Sequence, residues 1–358
     1  MNIYYDNIVF WLQRSGGISR YWQELAMRFI ADSDSEITFI EQQRPCENRF
    51  REVLHMSNML YERRLPLQIA RYLNVRAKLK ELSVFHSSYY RDINAPRSAK
   101  IVTVHDMTYE LYVKGLKKTV HTAQKRHAVR AADGVICISE NTRRDLLSFF
   151  PEIDESKITV VHNGVGEDFR PSDKPKEAIF EAFGLKDDKY AVFLGDRGRY
   201  KNFDAAVRAC ALSGHFLLVM GGKPVTDDEK ELLKTCLKDR YKIFGYMTNG
   251  QICEVFSAAD CLLYPSLYEG FGLPVLEAMR CGCPVVASDC SSLPEAAGDA
   301  GILVKNMTPE GYAEAMDSLK DRRDELIARG FAHSANFSWD RCFEETKYFY
   351  AKVLGKIA

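Results

Sequence analysis

Glu269 and Glu277 flank the run Gly270-Phe271-Gly272-Leu273-Pro274, which follows an apolar segment ending at Pro265. A proline is accepted in the first turn of a helix, where its missing N–H has no carbonyl to reach, so a helix is expected to begin here. Its start would turn the backbone N–H groups of Gly270, Phe271, Gly272 and Leu273 toward a phosphate at the positive end of the helix dipole. Glycine lets the anion approach the chain closely. Glu269 stands before the helix and Glu277 about two turns into it, so one carboxylate can face a sugar while the other reaches a ribose. The competing interpretation is a turn carrying two solvated glutamates.

A second cluster, Gly195-Asp196-Arg197-Gly198-Arg199-Tyr200-Lys201-Asn202, lies between the apolar run 190–194 and a helix expected from Phe203. Three cations at the carboxyl end of a strand suit a diphosphate. Lys201 offers a compact charge and each arginine a planar fork, and both kinds stabilise the charge that builds on a departing nucleoside diphosphate. Earlier in the chain, Ile101-Val102-Thr103-Val104 runs into His105-Asp106 at the end of another expected strand. Ser15-Gly16-Gly17 opens a helix whose apolar face is Ile18, Tyr21, Trp22, Leu25, Ala26, Phe29 and Ile30, which makes Gly16 and Gly17 a floor for a donor phosphate. That turn is not the six-position dinucleotide fingerprint.

The elements that must position these residues alternate between short apolar runs and amphipathic helices, the pattern of parallel sheets covered on both faces. Strands are expected at 2–6, 36–40, 84–88, 99–105, 134–139 and 158–162, then at 190–195, 216–220, 242–245, 261–265, 284–288 and 301–304. The polar, proline-punctuated stretch 168–175 separates the two sets as a linker. At 358 residues, two doubly wound α/β domains fit the size at which single cores divide.

Forty-nine basic residues balance 49 acidic ones, which argues against a surface built for nucleic acid. Ten cysteines are scattered, mostly through apolar stretches, as reduced buried thiols are. Cys281 and Cys283 lack the second pair or nearby histidine of a zinc site. Met1 leads directly into strand-like residues, and no apolar run reaches the ~18 residues of a spanning helix. A cytoplasmic enzyme is the expectation.

These residues resemble glycosyltransferase family 4, whose enzymes have the GT-B fold. The glutamate pair about Gly-Phe-Gly-Leu-Pro carries the likeness most specifically. Val160-Val161-His162-Asn163-Gly164-Val165, Ile138-Ser139-Glu140, Phe85-His86-Ser87-Ser88-Tyr89-Tyr90 and Tyr200-Lys201-Asn202-Phe203 extend it toward a bacterial branch associated with mannose transfer in surface polysaccharides. The resemblance implies two Rossmann-like domains facing across a cleft. Residues 1–168 would bind the acceptor and 169–337 the nucleotide-sugar, with a helix at 338–358 crossing both.

It further implies a retaining transfer from a nucleoside diphosphate-sugar, GDP-mannose foremost, to a glycan or lipid-linked acceptor, with no cofactor and no metal. His105 would contact the transferred sugar, Glu269 its hydroxyls, Glu277 the ribose, Lys201 with Arg197 or Arg199 the diphosphate, and the backbone of Tyr246 and Met247 the base. The family commonly has arginine directly after the strand's glycine, where this chain has Asp196, so Arg197 and Arg199 both remain candidates. An epimerase or hydrolase on the same fold and a non-catalytic sugar-nucleotide binding subunit are the alternatives.

Arg63, Arg64, Arg71, Arg76, Lys78 and Lys80, interleaved with Leu65, Leu67, Ile69, Tyr72, Leu73 and Leu79, suggest a basic amphipathic helix able to rest on an anionic membrane.

Overall fold

The computed structural model describes residues 1–185 and 189–357. They form two compact units, Met1–Gly164 with Trp339–Ala358, and Val165–Ser338. In the first unit the strands are β1 (Asn2–Asp6), β2 (Glu36–Gln42), β3 (Met59–Glu62), β4 (Ser83–Ser87), β5 (Ser98–Val104), β6 (Gly134–Cys137) and β7 (Ile158–Val160). They pair in parallel in the order β3-β2-β1-β4-β5-β6-β7. The second unit contributes β8 (Tyr190–Leu194), β9 (Phe216–Met220), β10 (Tyr241–Phe244), β11 (Cys261–Tyr264), β12 (Val285–Ser288) and β13 (Ile302–Val304), parallel in the order β10-β9-β8-β11-β12-β13.

Both sheets reverse direction beside their first strand, between β1 and β4 and between β8 and β11. Helices leaving neighbouring strands on opposite faces open a crevice at such a point, outside the carboxyl ends of the strands. Every expected strand is present. β3 is additional to the expected set, an edge strand with three of its four residues exposed and therefore without apolar alternation.

The helix Trp339–Gly355 belongs to the first unit. Trp339, Cys342, Phe343, Thr346, Phe349, Tyr350 and Val353 form its buried face, spaced three and four apart. Phe343 meets Phe29 edge-on at 4.8 Å, and Tyr350 stacks on Phe29 at 5.5 Å. The hydroxyl of Tyr350 bonds that of Tyr5 at 2.9 Å and also Nδ1 of His86. Phe349 presses so close to Gly134 that a Cβ there would lie 2.8 Å from its ring. Tyr348, on the opposite side of the helix, is 72% exposed.

The basic amphipathic helix expected around residues 63–80 is not there. Only Leu67–Ala70 is helical, and Pro66 begins it. Beyond it Val75, Ala77 and Leu79 pack on the cluster of Tyr4, Ile40, Phe85 and Ile93, while Arg76, Lys78 and Lys80 point outward. Apolar residues at every second position are the signature of an extended chain lying on a sheet, not of a helix. Among the described residues no helix is long and apolar enough to cross a membrane.

Candidate active site

Two loops at the switch point of the second sheet carry most of the expected donor residues. After β8 the chain passes Gly195 to a short 3-10 turn, Arg199–Lys201, and Asn202 takes a left-handed conformation (φ 53°) that redirects it into the helix Phe203–Ser213. After β11 it passes Pro265 and reaches the helix Leu273–Arg280 through Gly272, whose φ of 113° favours glycine and where a Cβ would press on Leu293 at 3.1 Å. The N–H of Leu267 donates to the carbonyl of Tyr200 at 2.7 Å, tying the loops together. Lys201 and Glu269 consequently meet. Lys201 Nζ lies 2.6 Å from Glu269 Oε1 and 3.2 Å from the hydroxyl of Tyr264, with both charged side chains largely buried. A cation, a carboxylate and a helix N-terminus stand together where a crevice for an anionic ligand is expected. Glu277 is half-buried, just over one turn into that helix rather than the two turns expected from a start at Gly270.

The loop at Glu269 is held by residues more than twenty positions away. Ser291 Oγ accepts the N–H of Glu269 at 2.9 Å, and Ser292 Oγ donates to the carbonyls of Glu269 at 2.9 Å and Phe271 at 2.8 Å. Neither serine was anticipated. The only sequence signal was their place before Leu293-Pro294, another helix start. Tyr264 ends the strand Cys261–Tyr264 and carries no sequence signal beyond that of a strand residue.

The two arginines separate cleanly. The Arg197 side chain is 2% exposed, and its guanidinium donates to Glu229 Oε2 at 3.1 Å, to the carbonyl of Gly221 at 3.1 Å and to the carbonyl of Lys223. Those contacts pin the loop after β8 to the Gly221-Gly222 turn after β9. The approach is so close that a Cβ on Gly222 would lie 2.6 Å from the carbonyl oxygen of Gly195. Arg199 is exposed. At the end of β10, Tyr246 is exposed and Met247 buried.

His105 and the Gly16-Gly17 turn belong to the first unit. Gly16 and Gly17 are exposed at the start of the helix Gly17–Ala31, and Gly16 has a φ of 152°. His105 follows β5 and is buried, with the ring of Tyr21 edge-on at 5.0 Å. Its Nε2 has no hydrogen-bond partner. Burial pushes the imidazole down to about 4, Lys125 adds to the effect and Asp106 opposes it, so the ring is neutral near pH 7. Behind it runs a buried chain of polar groups, in which Tyr21 and His86 Nε2 both bond the hydroxyl of Thr103, at 3.1 and 2.9 Å. Burial holds His86 below the usual histidine range as well.

A profile for glycosyl transferases group 1 matches residues 175–330, and one for glycosyltransferase family 4 matches residues 15–169. An Escherichia coli protein named O-antigen chain mannosyltransferase B is 28% identical over 92% of this chain and 94% of its own length. A D-inositol 3-phosphate glycosyltransferase of Mycobacteroides abscessus is 32% identical over 64% of this chain, and the matched region is about half of that relative, 54% of its length. Among solved structures, sucrose-phosphate synthase from Thermosynechococcus elongatus has a TM-score of 0.75 at 17% identity, covering 99% of this chain and 100% of its own. An Anabaena protein crystallised with UDP and glucose has a TM-score of 0.73 at 15% identity, covering 98% and 99%. At these identities the structures speak for the fold.

Proposed function

The chain belongs to the group 1, family 4 glycosyltransferases of GT-B fold, and on that premise we propose that it moves a hexose from a nucleoside diphosphate-sugar to a glycan or lipid-linked acceptor, with retention and without a metal. Mannose from GDP-mannose is the proposed donor, and surface polysaccharide the setting, as the name of the Escherichia coli relative supports. The observation that carries the proposal is the meeting of Lys201 and Glu269 at 2.6 Å beside the N-terminus of Leu273–Arg280.

In the proposed reaction the bond from the sugar's anomeric carbon to the diphosphate breaks while an acceptor hydroxyl attacks the same face. The acceptor proton passes to the departing diphosphate oxygen. Lys201, exposed Arg199 and the helix N-terminus stabilise the charge gathering on that leaving group. Arg197, whose guanidinium is engaged by Glu229 and two carbonyls, shapes the loop. Glu269 bonds the sugar's hydroxyls, Glu277 the ribose, and neutral His105 contributes an uncharged imidazole to the sugar.

A panel of nucleoside diphosphate-sugars, with and without acceptor and with excess EDTA, tests the proposal. The expected result is acceptor-dependent release of nucleoside diphosphate that chelation leaves unchanged. Free sugar without acceptor would mean hydrolysis, binding without consumption a non-catalytic subunit, and restoration by magnesium after chelation a metal-dependent transfer.

The two glutamates divide this site further. Interactions that strengthen as the ring distorts act on kcat, whereas ribose binding is uniform and acts on the donor KM. Glu269→Gln is therefore expected to lower kcat, and Glu277→Gln to raise donor KM, each by roughly ten- to two-hundred-fold. Donor saturation at fixed acceptor reads both, and the reverse pattern would exchange the roles.

A further inference from the structure

The turn that carries His105 is anchored by a charge pair buried in the first unit. Lys125 comes from the helix Leu116–Ala131, and Glu110 from the short helix Thr108–Tyr112 that follows β5. Their side chains are each 1% exposed, and Lys125 Nζ lies 2.7 Å from Glu110 Oε2. The same ammonium donates to the carbonyl of Asp106 at 2.9 Å, approaches Met107 Sδ at 3.6 Å and stands 5.4 Å over the ring of Tyr90. Glu110 is engaged on its other oxygen by the hydroxyl of Thr122 at 3.0 Å, with His121 Nδ1 at 3.8 Å. Burial alone would raise the Glu110 carboxyl, but His121 and Lys125 outweigh it and hold it down to about 2. Tyr90, under the ammonium, adopts a φ of 39°, a conformation that a bulky residue keeps only when its surroundings enforce it.

Two apolar side chains of similar volume would join the two helices at no greater cost, because a buried ion pair seldom stabilises more than a well-packed hydrophobic one. What an apolar pair could not do is grip a carbonyl one residue beyond His105 and set a fixed charge beside an imidazole whose Nε2 has no partner. We propose that Lys125 and Glu110 are a positioning pair for sugar transfer, anchoring the turn from His105 to Glu110 so that the buried His105 Nε2 is presented to the transferred sugar. This rests on the role given to His105 above. Lys125 acts through the Asp106 carbonyl, which fixes the backbone on which the imidazole is mounted, and through its charge, which disfavours a second positive charge on that imidazole.

The charged and titratable groups facing His105 are Asp106 beside it, Lys125 from the helix Leu116–Ala131, His86 on β4, Tyr21 from the helix Gly17–Ala31, and Tyr90 after β4. Only Lys125 and Glu110 are changed in the test. Full-length Lys125→Met, Glu110→Gln and the double variant, which leaves no buried unpaired charge, are compared with wild type in two measurements. One is the titration of the His105 imidazole by NMR on histidine-labelled protein, its resonance identified by absence from His105→Ala. The other is kcat and donor KM with the donor and acceptor found by the panel.

Lys125→Met and the double variant are expected to titrate about half to one pH unit higher at His105, while Glu110→Gln leaves the titration in place or lowers it. All three should lose kcat by about tenfold with donor KM within about twofold. A merely structural pair would leave the titration unmoved and lower activity only in step with the melting temperature, which overturns the proposal even if Lys125→Met itself fails to fold, because the double variant reports the same shift. If His105→Ala transfers sugar as fast as wild type, the role of His105 and the positioning of it fall together. Loss of transfer in His105→Ala with an unmoved titration in the pair variants removes the pair alone.

Discussion

Lys201→Met is expected to lower kcat by roughly 10²- to 10³-fold, the loss typical of removing a preorganised group from the site where transition-state charge develops. Lys201 is tied on two sides, to Glu269 at 2.6 Å and to Tyr264 at 3.2 Å, so its charge needs little reorganisation when a diphosphate departs. Methionine keeps the length of the stem and removes only the charge. Because Glu269 loses its partner in that variant, part of the defect belongs to the carboxylate, and Lys201→Met with Glu269→Gln should fall well short of the product of the single losses. Lys201→Arg should recover only part of the rate, since a planar fork does not reproduce a compact ammonium. Single-turnover transfer at saturating donor measures all of these. A Lys201→Met enzyme within threefold of wild type would place the leaving-group charge elsewhere in the loop.

Arg91→Met should be the most damaging change to the fold. Arg91 is buried after β4 and donates to Asp6 Oδ1 at 2.9 Å, to both oxygens of Glu62 at 2.8 Å and to the carbonyl of Leu73 at 2.9 Å. Its guanidinium joins the end of β1 to the end of β3 and holds the irregular segment that follows. Removing it leaves two carboxylates in an apolar interior, a loss of about 3–5 kcal/mol. For a unit of this size that corresponds to roughly 10 °C or more in Tm. Asp6→Asn and Glu62→Gln added to Arg91→Met should recover most of it.

The pH dependence has a definite sign. Burial raises the Asp6 carboxyl from 3.8 to about 6, with Glu62 adding to the rise and Arg91 opposing it. A group raised in the native state favours folding when protonated, so its ionisation weakens the fold as pH climbs from about 4 through 6. Without Arg91 that window moves upward. The deficit of Arg91→Met against wild type should therefore be larger at pH 8 than at pH 5 in urea unfolding, and a deficit independent of pH would mean the triad is not the cause.

The parts of this molecule that could be read from its sequence are those whose determinants are local. Parallel strands announce themselves as apolar runs, and the loops after β8 and β11 keep Lys201, Glu269, Gly272 and Glu277 in short contiguous stretches. Residues whose roles depend on distant partners stayed hidden. Ser291 and Ser292 reach back to Glu269 across more than twenty positions, and Lys125 grips a turn fifteen to nineteen residues before it. Arg197 and Arg199 could not be separated because both follow the same strand, and only the Gly221 and Lys223 carbonyls draw one of them inward. The segment 63–80 misled for a different reason. Its charges and apolar residues satisfy a helical period loosely, and the two-residue alternation from Val75 to Leu79 becomes decisive only once a sheet face is there to receive it.

The helix Trp339–Gly355 finishes a core whose other members were synthesised before the whole second unit. Phe29, Tyr5 and His86 must wait, with the face that Phe343, Phe349 and Tyr350 will cover still open, while residues 165–338 emerge and fold. The second unit has no such delay, since its strands and helices are continuous in the chain and its entry and exit pair at Val165 and Ser338. Topologically it is a guest inserted in a host. The domain made first is the one completed last, since the Tyr350 hydroxyl can reach Tyr5 and His86 only after the donor-binding loops have been synthesised.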